Sequence, residues 1–167
     1  PTEFTDLDAF GNNNYTKQLA DLSFVTDWIC DPNNQHRPFI DDDNIFLIGH
    51  SLGGGIAVLF AAVDKRIKKL VTWAGIAECK TPWGSWSPYR IDLWKDVGVQ
   101  YYTNTRTNQQ MPLYFQLYED YQQNEEKLNI RKAMSRLSIP VLICHGTLDI
   151  SVPVEAAHQL KEANPSA

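Results

Sequence analysis

Ile45-Phe46-Leu47-Ile48-Gly49-His50-Ser51-Leu52-Gly53-Gly54-Gly55 is the stretch whose reading decides the fold. Its first four residues are wholly apolar and mostly branched, the composition of a strand covered on both faces in a parallel sheet. Ile56 to Val63 is apolar and alanine-rich, which predicts a helix packed into a core. A strand that passes straight into a helix through Gly-x-Ser-x-Gly forces the serine into strained backbone geometry. The small residues two before and two after leave room for it. The serine hydroxyl then stands above the sheet, and the next amide points into the same space as a donor to a developing oxyanion. The dipole at the helix N-terminus favours negative charge there. Ser51 is therefore the candidate nucleophile, and the Leu52 N–H the candidate oxyanion donor.

Two rival readings of a glycine-rich strand-to-helix turn fail. A dinucleotide fingerprint needs glycines at places one, three and six; counted from Gly53 and Gly55, the sixth place is Val58. A phosphate-binding P-loop needs Lys and then Ser or Thr after its second glycine, but Gly54 is followed by Gly55 and Ile56. The bland alternative is a glycine-rich turn that only lets a helix pack closely.

On the N-terminal side, residues 1–14 are turn-rich, with Pro1, Gly11 and three asparagines ending at Asn14. Asn14 is a good N-cap for a helix over 15–30, where Leu19, Leu22, Val25 and Ile29 recur at helical spacing and Asp31-Pro32 stops the run. Residues 31–44 are a polar loop, with Asp41 to Asp43 a solvated acidic run. On the C-terminal side, Leu70 to Trp73 and Val141 to Cys144 are two further buried strands. Val154 to Glu162 is a helix with Pro153 at its first turn. This alternation is the rhythm of a parallel α/β sheet, with a core over 15–74 and 140–163. The stretch 75–139 between them is longer than a simple crossover. It is rich in aromatic residues and prolines and is read as an insertion, helical over 112–127 and 129–137 and free of central strands. Trp83, Trp86 and Trp94 either line an apolar pocket there or fill its core.

A nucleophilic serine needs a base, and the base needs an orienting carboxylate. The third strand leads into His145-Gly146-Thr147-Leu148-Asp149, with Val152-Pro153 behind. A carboxylate on the loop leaving a parallel strand lies at the carboxyl edge of the sheet. Ser51 lies on that edge too, and ligands of open α/β sheets bind there. Asp149 is the candidate acid.

Together, Gly-His-Ser-Leu-Gly-Gly and His-Gly-Thr-Leu-Asp with Val-Pro following resemble the α/β-hydrolase family over about residues 15–163. The similarity is closest to its small esterases and to the dienelactone-hydrolase and prolyl-oligopeptidase-like branches. The resemblance implies a three-layer α/β/α parallel sheet with the 75–139 insertion as a cap over the site. It implies Ser51 as nucleophile, Asp149 as acid and Leu52 as backbone oxyanion donor. The expected substrate is a small-molecule carboxylic ester cleaved through an acyl-enzyme, with no metal and no organic cofactor. A peptidase or amidase of the same fold is the alternative, as is a catalytically inert α/β module or fragment.

The family order is serine, acid, histidine, with the histidine on a loop beyond the helix that follows the acid. The only histidine after Asp149 is His158, inside the predicted helix 154–162, which suits a helix residue better than a base. His50 belongs to the elbow, His145 sits structurally at a strand end, and His36 has no evident role in its polar loop. The catalytic histidine is thus expected beyond Ala167. Residues 1–44 hold no convincing strand where the family has several, so a partial domain is expected. Its apolar sheet edge would be covered by further chain or by a partner.

Composition excludes other classes. A net charge of −5 and a pI near 5.3 do not suit a nucleic-acid binder. No apolar run approaches the roughly 20 residues of a membrane-spanning helix. Cys30, Cys79 and Cys144 are odd in number and widely spaced, which fits reduced thiols and a cytoplasmic setting.

Overall fold

The computed structural model describes residues 3–167, so Pro1 and Thr2, the start of the turn-rich segment, lie outside the described residues. In chain order the elements are α1 (Leu7–Gly11), α2 (Tyr15–Cys30), β1 (Ile45–His50), α3 (Leu52–Ala61), β2 (Ile67–Trp73), α4 (Pro88–Val97), β3 (Val99–Thr103), β4 (Gln110–Tyr114), α5 (Gln116–Asn124), α6 (Ile130–Met134), β5 (Val141–Cys144) and α7 (Glu155–Ala163). They group into two compact units. One holds Gln18–Cys79 with Glu126–Ala167; the other holds the segment up to Lys17 with Lys80–Glu125.

The first unit contains the parallel sheet, in the order β1-β2-β5. Its register sets Ile48 beside Val71 and His50 beside Trp73, then Val71 beside Leu142 and Trp73 beside Cys144. Helix α3 packs on β1 and β2, α6 packs on α3, and α7 packs on α6 and β5. That layer buries Ile56, Val58, Leu59 and Phe60 of α3 against Ile67 and Leu70 of β2, with Ile130, Met134 and Leu160 behind. Arg66 ties this layer to α2, bonding both Asp64 and Asp27.

β1 differs from expectation in its covering. Side chains alternate along a strand, and here Leu47 faces the helices while Phe46 and Ile48 are 54% and 69% exposed. Trp73 of β2 and Leu142 of β5 share that open face, 61% and 57% exposed. The reason is that the helices packed on these strands form one layer, so an all-apolar run is buried on one side only. The Lys69 ammonium lies 4.8 Å above the Phe46 ring, shielding part of that face.

The second unit is built on an antiparallel hairpin, β3 with β4. Sequence reading assigned no strand here and began a helix at 112; instead β4 runs through Pro112 and α5 begins only at Gln116. Pairing supplies the reason: β4 has β3 alone as neighbour, and a proline is tolerated in an edge strand, where the missing N–H faces no partner. Helix α4 carries its own punctuation: Ser87 accepts from the Arg90 amide, Pro88 opens the first turn, and Gly98 closes it at φ 80°. Trp94 of α4 is fully buried, its Nε1 donating to the Leu113 carbonyl at 2.7 Å. The Trp83, Trp86 and Phe115 rings pack around it at 5.3–6.0 Å. Trp83 and Trp94 therefore fill this unit's core, and Trp86 lies half-buried under the Arg90 guanidinium.

The end of β1, the start of α3 and the loop after β2 approach so closely that side chains would not fit. A Cβ on Gly49 would stand 2.3 Å from the Gly53 carbonyl oxygen, and one on Gly54 would stand 2.7 Å from the Gly75 Cα. A Cβ on Gly53 would meet nothing within 4 Å. The room expected at both flanking glycines of the motif is thus needed at Gly49 and not at Gly53. Gly49→Ala should cost about 1–3 kcal/mol or more as backbone is forced apart. Gly53→Ala should leave stability equal or raise it by up to about 1 kcal/mol. Urea denaturation of both variants checks this, and equal destabilisation by the two would contradict it.

Candidate active site

One residue joins the parallel strand β1 to helix α3, and it is Ser51. Its backbone lies at φ 55°, ψ −122°, a conformation that costs a non-glycine residue of order 1–3 kcal/mol and persists only where the surroundings impose it. The surroundings here are hydrogen bonds on both sides. The Ser51 N–H donates to the Trp73 carbonyl at 2.9 Å, and the Ser51 carbonyl accepts from Gly54 N–H at 2.9 Å and Ile76 N–H at 3.2 Å.

Serine at a helix N-cap normally spends its hydroxyl on the helix's first amides. Ser51 occupies that position without doing so, and its Oγ has no hydrogen-bond partner among the described residues. Leu52 N–H is the first amide of α3, one of those a helix cannot satisfy internally, and it too has no acceptor among the described residues. A hydroxyl and an uncommitted amide therefore stand together at the positive end of a helix.

Asp149 lies on the loop that leaves β5, at the same carboxyl edge of the sheet. β1 and β5 flank β2, so their ends are separated by two strand spacings, roughly 9–10 Å. That gap suits an intervening imidazole. Asp149 Oδ1 accepts from the Ser151 and Val152 amides at 2.8 and 3.0 Å. Oδ2 has no partner among the described residues. The Val152 and Ser151 amides hold the carboxyl below the usual carboxylate range; partial burial opposes them, and the His145 and His50 rings add a smaller lowering. Asp149 is therefore ionised at neutral pH, with one oxygen committed to its own loop and one open.

The histidines fall as follows. His145 Nε2 lies 2.7 Å from the Val152 carbonyl, which can only accept, so Nε2 carries the hydrogen. Its Nδ1 is buried, with no partner among the described residues. Val152 is gripped twice, its amide by Asp149 and its carbonyl by His145. His50 packs on Trp73 at 5.3 Å between ring centroids. His36 packs near Trp28, and His158 sits exposed midway along α7. None of the four hydrogen-bonds Ser51 Oγ or Asp149.

The acidic loop is occupied by internal pairing: Arg37 bonds Asp42 at 2.7 Å, and Asn44 donates to Asp41. No cluster of three or more His, Cys, Asp or Glu suited to a metal occurs among the described residues. No helix among them is long and apolar enough to cross a membrane. Sequence reading missed the loop after β2, where Ala74 takes φ 49° and Ile76 reaches the elbow. Its only local signal is Ala74-Gly75 directly after a strand.

Comparison with known proteins bears on this arrangement. The BD-FAE family model matches residues 6–163. A 2,6-dihydropseudooxynicotine hydrolase from Paenarthrobacter nicotinovorans is 26% identical over 127 residues, covering 76% of this chain and 30% of that protein. The crystal structure of a monoacylglycerol lipase from Paleococcus ferrophilus superposes with a TM-score of 0.62 at 20% identity, over 92% of this chain and 62% of that one. A putative hydrolase from Agrobacterium vitis S4 gives 0.66 at 19% identity, over 93% and 57%. The chain thus spans under a third of its curated relative and about three-fifths of these solved structures. The family model covers nearly the whole chain, and on that match the chain belongs to the BD-FAE family, of the α/β-hydrolase type.

Proposed function

We propose that this chain carries the nucleophile, the acid and one oxyanion donor of a serine hydrolase acting on carboxylic esters. The observation that carries the reading is Ser51: a strained residue at an N-cap position whose hydroxyl does not cap, beside an amide with no acceptor among the described residues. Strain of this kind clusters at functional sites. The named relatives support the class, since one is a hydrolase and one solved neighbour a monoacylglycerol lipase.

In the proposed reaction Ser51 Oγ attacks the ester carbonyl carbon while a histidine takes the hydroxyl proton. The carbonyl oxygen becomes an oxyanion and accepts from Leu52 N–H. Collapse breaks the bond to the leaving alcohol, which takes the proton back from the imidazolium. Water then repeats the sequence on the acyl-enzyme. Asp149 Oδ2 accepts from the other ring nitrogen of that histidine and fixes its tautomer. No histidine of this chain makes that bond among the described residues, so the base is assigned to an imidazole other than these four.

Two substitutions, the pH dependence and the 167-residue chain alone each test this. Where a histidine completes the site, Ser51→Ala should lower ester turnover by about six orders of magnitude with the fold intact; turnover within tenfold of wild type would remove Ser51 from the role. Asp149→Asn should cost about four orders. The carboxyl's lowered pKa fixes the sign of the pH dependence. Held below the usual carboxylate range, Asp149 stays charged between pH 7 and 5, so activity lost in that window reports protonation of the base. A pH-rate profile of Asp149→Asn that keeps wild-type activity would refute the assignment. Residues 1–167 alone, verified by intact mass at 19.0 kDa, should hydrolyse p-nitrophenyl acetate no more than tenfold faster than their own Ser51→Ala variant. They should also label weakly with a fluorophosphonate. Robust hydrolysis by that species would show that one of the four histidines is the base.

A further inference from the structure

The end of β2 and the loop leaving it touch the elbow at three points, and each has a geometric requirement. Trp73 offers its carbonyl to Ser51 N–H at 2.9 Å, and Ile76 N–H reaches the Ser51 carbonyl at 3.2 Å. Between them Gly75 lies against Gly54, so close that a Cβ on Gly54 would meet Gly75 Cα at 2.7 Å. Ala74 is held at φ 49° while its N–H donates to the Cys144 carbonyl at 2.8 Å. Without that left-handed residue the chain would continue outward as a strand, and Ile76 would not return beneath the elbow. Ala74 and Ile76 are both buried, so the loop is fixed in place.

The Ser51 carbonyl belongs to the same peptide unit as Leu52 N–H. A trans peptide is planar, and its C=O and N–H point in opposite directions. Whatever holds the carbonyl therefore sets the direction of the amide. Among the described residues two donors hold it: Gly54 N–H, which belongs to the turn itself, and Ile76 N–H, which alone of these comes from outside the elbow and helix. A hydrogen bond accepted by the carbonyl also polarises the unit and strengthens its N–H as a donor.

We infer that Trp73–Ile76 is a positioning element for the oxyanion site, in which the Ile76 amide, by holding the Ser51 carbonyl, aims Leu52 N–H at the reacting oxygen. The inference rests on the proposed hydrolase reading for its chemistry, while its geometric content stands apart. Ile76 touches no reacting atom and acts through the Ser51–Leu52 peptide. Its side chain is not the active part, so any residue that keeps the fold and the N–H serves there.

The test is an amide-to-ester replacement at Ile76, which keeps the buried side chain and removes only the donor. The first readout is the Leu52 15N–1H residual dipolar coupling, measured on the 167-residue chain. It should depart from wild type by more than the spread among the β1 amides, while couplings along α3 beyond its first turn stay unchanged. Gly75→Ala is the second variant, should the ester prevent folding. Its methyl would stand 3.2 Å from Thr72 Cβ and 3.5 Å from Gly54 Cα, which shifts the loop by a few tenths of an ångström. The Leu52 coupling should then move in the same sense by less. In the active protein the ester variant should lose ten- to a hundredfold in kcat with KM within twofold. An unchanged Leu52 coupling would overturn the inference, as would a raised KM at constant kcat. Failure of the hydrolase reading looks different: no turnover and no probe on Ser51 even in wild type, with the Leu52 coupling still moving in the variant.

Discussion

A parallel strand that runs directly into a helix has one residue in which to reverse direction, and most of this sheet unit answers to that constraint at Ser51. The turn closes only because β1 and α3 approach with no side chain between them, at Gly49 against the Gly53 carbonyl and Gly54 Cα, and because the loop after β2 comes as close, at Gly75 against Gly54. Close approach in turn forces the serine to positive φ. With the backbone held there the hydroxyl makes no bond to the first helical amides, so Oγ and Leu52 N–H are both left without a partner among the described residues. The chemistry proposed for this site thus follows from a packing restriction.

Much of the sheet unit was legible because its signals are local. Asn14 caps α2 by accepting from Lys17 N–H at 2.9 Å, and the helix ends at Cys30, just before Asp31-Pro32. The apolar runs at Ile45 and Val141 became strands, and the Gly-x-Ser-x-Gly turn has the backbone that its letters imply. What failed was information that lies elsewhere in the chain. An apolar run does not say which of its faces will be covered, since that depends on where helices of distant sequence pack. β1 and β5 accordingly expose one face each. The hairpin β3–β4 was hidden because Val99-Gln-Tyr-Tyr-Thr and Gln-Met-Pro-Leu-Tyr become strands only through each other, and Pro112 argues against a strand until the edge position is known. Helix α4 was legible in principle: Ser87-Pro88 and Gly98 are ordinary start and stop chemistry, overshadowed by the density of aromatic residues around them.

Those aromatics separate packing from recognition. Trp94 is surrounded by rings and has its one donor satisfied, the pattern of a core residue. A small unit with a two-stranded hairpin gains little from its sheet, since isolated hairpins are marginal in water. Large rings compensate by burying much area per residue. The same composition that suggests a pocket wall from sequence is, here, what lets this unit have a core.

The acid loop shows the same economy as the elbow in a different form. Leu148 and Ile150 flank Asp149 and are 91% and 96% exposed, so apolar burial does not hold the loop. Polar groups do: Asp149 Oδ1 takes the amides of Ser151 and Val152, and His145 takes the Val152 carbonyl. One carboxylate oxygen therefore builds the loop, while the other is the one that the proposed triad gives to an imidazole. In the proposed triad this division requires the group to be a carboxylate. An asparagine could accept the same two amides through its Oδ1, leaving the loop intact, but would present an N–H₂ donor where the incoming ring nitrogen also donates. Structure and chemistry at this position separate by atom, and substitution at Asp149 should expose that separation as a loop that survives while its second oxygen's role is lost.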